Sequence, residues 1–198
     1  WPGLFCYREG MWTWQDLVDP SALLARQDTR AGPGAMLMKT IEALDKLYAI
    51  ALEADGGSKR IVIWRAINVA RLRDIRWDNI GGCWSYEKQS AHAYHGMHVT
   101  HRRKHGDFDP LRIRLRASVK MDDVDWNETI PLHIEYPGER EIRLKPGAVI
   151  DVDGGYYWSA PDRDWLPLNF RRSFRARVHD LERYGCWAPY PPRQRRKP

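Results

Sequence analysis

Three short stretches carry residues whose types and spacing suit chemistry. In Ile63-Trp64-Arg65-Ala66 a cation interrupts an apolar run. A guanidinium drawn into such a run loses solvation and needs a compensating anion. Two partners meet that need: a carboxylate on a neighbouring strand, or a phosphate in a cleft, which a planar guanidinium grips bidentately. In Glu139-Arg140-Glu141-Ile142-Arg143-Leu144, read as a strand, Glu139 and Glu141 share one face about 6.6 Å apart, with Ile142 and Leu144 turned to the core. The pair is either a solvated outer face with Arg143 as partner, or one carboxylate that stabilises a developing positive charge beside another that handles a proton. Glu135 falls outside that register. In Gly82-Cys83-Trp84-Ser85-Tyr86 the serine lacks the Gly-x-Ser-x-Gly setting of a nucleophile elbow, which argues against a hydrolase triad.

The elements that must position these residues follow from periodicity. Residues 1–34 read as an irregular lead-in, rich in aromatic, Pro and Gly residues, with a short helix near Pro20–Arg26. Leu37, Ile41, Leu44, Tyr48 and Leu52 recur at steps of three and four and predict a helix from about Ala35 to Ala54, ended by Gly56-Gly57. A strand is expected at Arg60–Val69. The pair Gly81-Gly82 leads into a short segment, Cys83–Tyr86, and a helix at Glu87–Tyr94, followed by a polar, basic loop over His95–Pro110. Leu111, Ile113, Leu115, Ala117 and Val119 alternate with Arg112, Arg114, Arg116 and Ser118, so one strand face enters the core and the other is cationic. Strands at Glu139–Leu144 and Ala148–Val152 flank a Lys145-Pro146-Gly147 turn. Beyond Gly154-Gly155 the chain is aromatic and basic, with a helix expected at Phe174–Tyr184 and a Pro/Arg tail. The resulting division is a lead-in (1–34), a core (35–153) and a C-terminal extension (154–198).

Composition bounds the function without choosing it. With 198 residues, 43% hydrophobic and 29% charged, the chain can bury a core. Its formal charge of +6 favours encounters with polyanions. Cys6, Cys83 and Cys186 are far apart, which makes neither a disulfide framework nor a thiolate zinc site and leaves one distant disulfide open. His92, His95, His98, His101 and His105 recur mostly at steps of three, but no Cys is interleaved and Gly96 interrupts them, so surface or loop histidines are expected and no metal. No apolar run approaches the ~18 residues that span a bilayer, and no membrane partner is expected. The first residue is Trp1, as in a piece of a longer protein.

The order of the three stretches is more specific than any one of them. An Arg on a first apolar strand, then Trp84-Ser85 after paired glycines, then Glu139-Arg140-Glu141-Ile142-Arg143-Leu144-Lys145-Pro146-Gly147, resembles the Arg–Ser–Glu class of ADP-ribosyltransferases, over roughly Ala35 to Val152. Of the family's frequent Ser-Thr-Ser, only Ser85 is present. The resemblance implies an α+β fold with two packed, mainly antiparallel sheets around an NAD cleft. It implies a mono-ADP-ribosyltransferase, a glycosyltransferase that uses NAD as substrate and passes ADP-ribose to a protein or nucleic-acid acceptor, as bacterial or phage toxins and effectors do. By that resemblance Arg65 binds the NAD phosphates, Glu141 stabilises the ribosyl cation, Ser85 holds Glu141, Glu139 orients and deprotonates the acceptor, and Tyr94, Tyr86 or Trp84 stacks on nicotinamide. Glu-x-Glu further implies an arginine acceptor, and a toxin or effector of this class implies action in the cytoplasm of a producing or target cell and a cognate inhibitor or immunity protein as partner. The rival reading is a non-enzymatic basic module that binds nucleic acid, although no zinc-finger, Gly-x-x-Gly or RNA-binding strand motif accompanies it.

Overall fold

The structure, a computed structural model, describes residues 12–26, 34–69, 71–75, 77, 80–92, 111–138 and 140–178. Among these residues three helices, α1 (Pro20–Arg26), α2 (Gly34–Gly56) and α3 (Trp126–Glu135), accompany six strands: β1 (Arg60–Val69), β2 (Cys83–Ser85), β3 (Leu111–Lys120), β4 (Glu141–Arg143), β5 (Val149–Ser159) and β6 (Asp164–Arg177). All six strands lie in one sheet of order β4-β2-β1-β3-β5-β6, and every neighbouring pair is antiparallel. The fold is thus α+β, but the described residues form one sheet where two packed sheets were expected. The reason lies in β1 and β3, which pair along all ten residues from Arg60↔Lys120 to Val69↔Leu111. Such a long central pair carries β2 on one side and β5 on the other, so the ladder never splits.

The period-two alternation of β1 and β3 decides which face is covered. Ile61, Ile63, Ile113, Leu115, Ala117 and Val119 are all buried. They pack in one core with Leu44, Leu47 and Ala51 of α2, Leu23 and Leu24 of α1 and Ile130 of α3. Leu17, in a 3-10 turn over Trp14–Val18, is fully buried in the same core, so the lead-in packs as part of the domain. The opposite face carries Arg60, Val62, Trp64, Arg114, Arg116 and Ser118, the polar half of the pattern.

β5 departs from the sequence reading. It runs unbroken across the boundary expected at residue 153, and β6 pairs with it from Val149↔Arg177 to Ser159↔Asp164. Residues 154–177 therefore belong to the sheet. A Cβ at Gly155 would lie 2.2 Å from the Arg114 carbonyl oxygen, so β3 and β5 can approach this closely only because residue 155 is glycine. Of the helix expected at Phe174–Tyr184, the described part is instead the end of β6 and the residue after it. Ala176 and Val178 are buried while Arg175 and Arg177 are exposed, a period of two rather than 3.6. Of the helix expected at Glu87–Tyr94, the described part is a turn followed by a short 3-10 segment, Ser90–His92.

α3 had no counterpart in the sequence reading. Asp125 caps it, accepting from the Glu128 backbone N–H at 3.3 Å. Its buried Thr129 clamps β4: the Arg143 N–H donates to Thr129 Oγ1 at 3.0 Å, and the Asp125 N–H donates to the Arg143 carbonyl at 2.9 Å. This short strand is thereby held between β2 and a helix.

Candidate active site

β2 and β4 pair in the register Cys83↔Arg143, Trp84↔Ile142, Ser85↔Glu141, and β1 joins them through Trp64↔Ser85. Residues directly opposite one another share a face. Trp64, Ser85 and Glu141 therefore form one row across three strands, on the polar face of the sheet. Ser85 and Glu141 are both about 94% buried, at 6% exposure each. The Arg143 Nε lies 2.6 Å from Glu141 Oε1, two residues along the same strand face. The close approach is ionic rather than a well-aligned hydrogen bond, since this Nε–H finds no acceptor in line. A buried carboxylate is tolerated when a cation compensates it, and Arg143 does so here. Arg143 Nη1 also donates to Cys83 Sγ at 2.8 Å. Cys83 is disulfide-bonded, and the other two cysteines lie outside the described residues.

Ser85 spends its hydroxyl on the backbone that follows it. Its Oγ donates to the Glu87 carbonyl at 3.0 Å and accepts from the Glu87 N–H at 3.1 Å. The serine thus shapes the turn after β2 beside Glu141, and neither of these two bonds reaches the carboxylate.

Arg65 sits one residue out of the Trp64–Ser85–Glu141 row. Alternation turns it to the opposite face, where its register partner is the fully buried Leu115. Its guanidinium carbon lies 6.0 Å from the Trp84 ring, and Nη1 donates to the Cys83 carbonyl at 2.9 Å. The structure therefore brings Ser85 and Glu141 together on one face, with Arg65 behind them, bracing β2 from its backbone side.

Two of the three aromatic residues suggested for nicotinamide are core residues. Trp84 is 2% exposed and donates from Nε1 to the Gly81 carbonyl at 2.7 Å. Tyr86 is buried, donates to the Ala43 carbonyl at 3.3 Å and stacks on His133 at 5.5 Å. Burial holds the Tyr86 phenol well above its usual range. The third, Tyr94, lies outside the described residues, as do Glu139 and the histidines at 95, 98, 101 and 105. The strand expected from Glu139 begins at Glu141. Arg140, just before it, adopts φ 53°, a left-handed conformation outside the strand region.

Arg140 has a different function. Its guanidinium approaches Glu42 at 3.5 Å and Glu87 at 3.9 Å, and Lys46 joins the same two carboxylates at 3.0 and 3.5 Å. This network ties α2 to the turn after β2 and to the residue before β4. Lys46 and then Arg140 hold the Glu42 carboxyl below its usual range.

The aromatic residue that faces the row is Trp64, which sequence reading passed over as part of an apolar strand. Tyr156 of β5 lies 6.2 Å from it, and the Lys88 ammonium sits over Tyr156 at 3.5 Å and near Trp64 at 5.9 Å. These contacts cross three strands and a turn, so no local pattern announces them. The cationic stripe of β3 is also less free than its sequence suggests. Arg116 pairs with Asp153 at 2.9 Å, and Asp151 takes both Arg60 and Arg175. Arg114 meets a ring instead. It is 2% exposed, its guanidinium lies 4.3 Å from the Trp165 ring, and its Nε and Nη2 have no hydrogen-bond partner among the described residues. Burial lowers its pKa to about 10.

No group of three or more His, Cys, Asp or Glu side chains suited to a metal ion occurs among the described residues, and no helix among them is long and apolar enough to cross a membrane. No family model, curated protein or solved structure matches the chain.

Proposed function

We propose that this chain is a mono-ADP-ribosyltransferase with an ADP-ribosyltransferase-like arrangement of its site strands. In this reading it cleaves the bond between nicotinamide and ribose in NAD and passes ADP-ribose to a macromolecular acceptor, as a toxin or effector enzyme does. The observation that carries the proposal is the Ser85↔Glu141 cross-strand pair: a buried carboxylate, clamped by Arg143, on the one sheet face lined with aromatic and cationic side chains.

The chemistry follows from that placement. Departure of nicotinamide leaves a ribosyl oxocarbenium ion. A fixed carboxylate costs no reorganisation as that positive charge develops, and it accepts a hydrogen bond from a ribose hydroxyl. Glu141 has this role. Ser85 acts as a positioning residue by fixing the turn that follows β2. Arg65 acts from behind the sheet: by holding the Cys83 carbonyl it fixes the strand that carries Ser85. Trp64, directly opposite Ser85, offers the flat surface against which nicotinamide packs. Glu139 remains the proposed acceptor base, and an arginine acceptor remains the proposed target, because a guanidinium must lose a proton before it attacks. A cognate inhibitor protein fits a toxin of this kind.

The test is incubation of cell lysate with NAD labelled in its adenylate half, followed by separate protease and nuclease digestion. Nicotinamide release with protease-sensitive label supports a protein acceptor. Nuclease-sensitive label moves the acceptor to nucleic acid and keeps the reaction. Absence of both nicotinamide release and label transfer would overturn the proposal.

A further inference from the structure

We propose that Lys88, Arg114, Tyr156 and Trp165 form a recess on the polar face of the sheet that binds a nucleoside monophosphate group: the adenylate half of NAD. The inference rests on the NAD reading only for the identity of the nucleotide.

Two unspent cations motivate it. Two neighbouring cations on this face meet carboxylates, Arg116 with Asp153 and Arg60 with Asp151. Lys88 and Arg114 instead meet aromatic rings, Tyr156 at 3.5 Å and Trp165 at 4.3 Å. A ring holds a cation in place without neutralising it, so the charge stays available to an anion. Arg114 adds a second observation. Its Nε and Nη2 are adjacent donors on one edge of the guanidinium, both buried and both without a hydrogen-bond partner among the described residues. Withholding two donors from water with nothing in exchange is unfavourable, and a parallel pair of N–H groups is the arrangement that grips a phosphate bidentately.

The ligand class follows from what surrounds the cations. A bare anion needs no rings, whereas a nucleotide has a planar base that stacks on them. Tyr156 pairs with Arg114 in register, and Trp165 lies on the same face, opposite Trp158, at the start of β6. The indole covers the guanidinium, so phosphate entry displaces Trp165, which stands next to the hairpin turn at residues 160–163. The placement also suits the length of the substrate. From β4, which carries Glu141, to β5, which carries Tyr156, is four strand spacings, about 19 Å, the reach of an extended dinucleotide. Arg65 faces the other side of the sheet, so Lys88 and Arg114 take the phosphate contact that the sequence suggested for it.

The experiment is calorimetric titration of the full chain with AMP, adenosine and inorganic phosphate, repeated for Lys88→Ala and Arg114→Gln. AMP is expected to bind more tightly than adenosine or phosphate, and each substitution to weaken AMP about 10- to 100-fold, the value of one charge-assisted contact. Lys88 lies on a turn, so its variant keeps the test informative if Arg114→Gln fails to fold. Undetectable AMP binding, equal binding by wild type and Lys88→Ala, or phosphate bound as tightly as AMP would each overturn the recess. So would a single-stranded oligonucleotide bound far more tightly than AMP, which would make this a nucleic-acid surface. NAD cleavage without AMP binding defeats the recess alone, whereas AMP binding without NAD cleavage defeats the transferase reading alone.

Discussion

The two faces of the single sheet obey different rules. The face under α2 is aliphatic and close-packed, with Ile61, Ile63, Leu115 and Val119 at or below 1% exposure. The other face carries side chains that also reach low exposure, Arg114 at 2% and Glu141 at 6%, yet it is built from charges and rings. On the first face the aliphatic side chains are satisfied by contact with one another. On the second, burial of Glu141 is compensated by Arg143, while burial of Arg114 is left uncompensated. Burial that leaves a polar group unmet costs stability, and such cost is tolerated where a site needs it. The comparison separates a face held by aliphatic packing from a face held by ion pairs and rings.

The largest effect on stability belongs to the apolar face. Ile63→Ala should destabilise by about 2–5 kcal/mol, the range for truncating a buried aliphatic side chain. Val62→Ala, one residue away on the polar face and 42% exposed, should cost well under that, within about 0.5 kcal/mol. Denaturant unfolding measures both, and similar losses for the two would erase the distinction between the faces.

His133 tests the apolar side by pH. Burial lowers its pKa to about 4, its ring stacks on Tyr86, and its Nδ1 lies 2.8 Å from the Thr129 carbonyl. The folded state therefore resists a proton that the unfolded chain takes up near its ordinary value of about 6.5. This contribution to stability is complete above pH 6.5 and falls as the pH drops toward 4, by up to about 3 kcal/mol. His133→Phe should flatten that part of the stability profile. An unchanged slope between pH 7 and 4 would mean that other groups set it.

A smaller effect is expected at the seam between the faces. Thr129→Val leaves the Arg143 N–H without its acceptor and should cost about 1–2 kcal/mol. Because β4 carries Glu141, this variant should lose turnover beyond its loss of stability, measured at a temperature where it remains folded. Loss of stability with turnover intact would show that β4 is placed by its pairing with β2 alone.

Legibility in the sequence followed locality. β1, β3 and α2 were readable because their periodicity reports one covered face along one element. β6 was not, because Arg171, Arg172 and Arg175 mask the alternation of a strand that has one exposed edge, and Pro167 within it argues against a strand interior. α3 was obscured by Pro131 and by the acidic run before it. The order Arg65, Ser85, Glu141 was visible, but the one-residue offset that turns Arg65 away was not, since register is set by pairing rather than by sequence spacing. The left-handed turn at Arg140 is invisible for a similar reason: nothing in a Glu-Arg-Glu triplet signals positive φ. Lys88, Trp64 and Trp165 gained their meaning only from neighbours distant in sequence.

The central claim is that the polar face cleaves NAD through Glu141. The most direct measurement is nicotinamide release from NAD by the wild-type chain and by Glu141→Gln, with unfolding curves recorded for both. Release by the wild type, and a fall of about 100- to 1000-fold in a folded Glu141→Gln variant, is the predicted result, as expected when a preorganised group stabilising transition-state charge is removed. A folded variant that releases nicotinamide at close to the wild-type rate, or a wild-type chain that releases none, would contradict it.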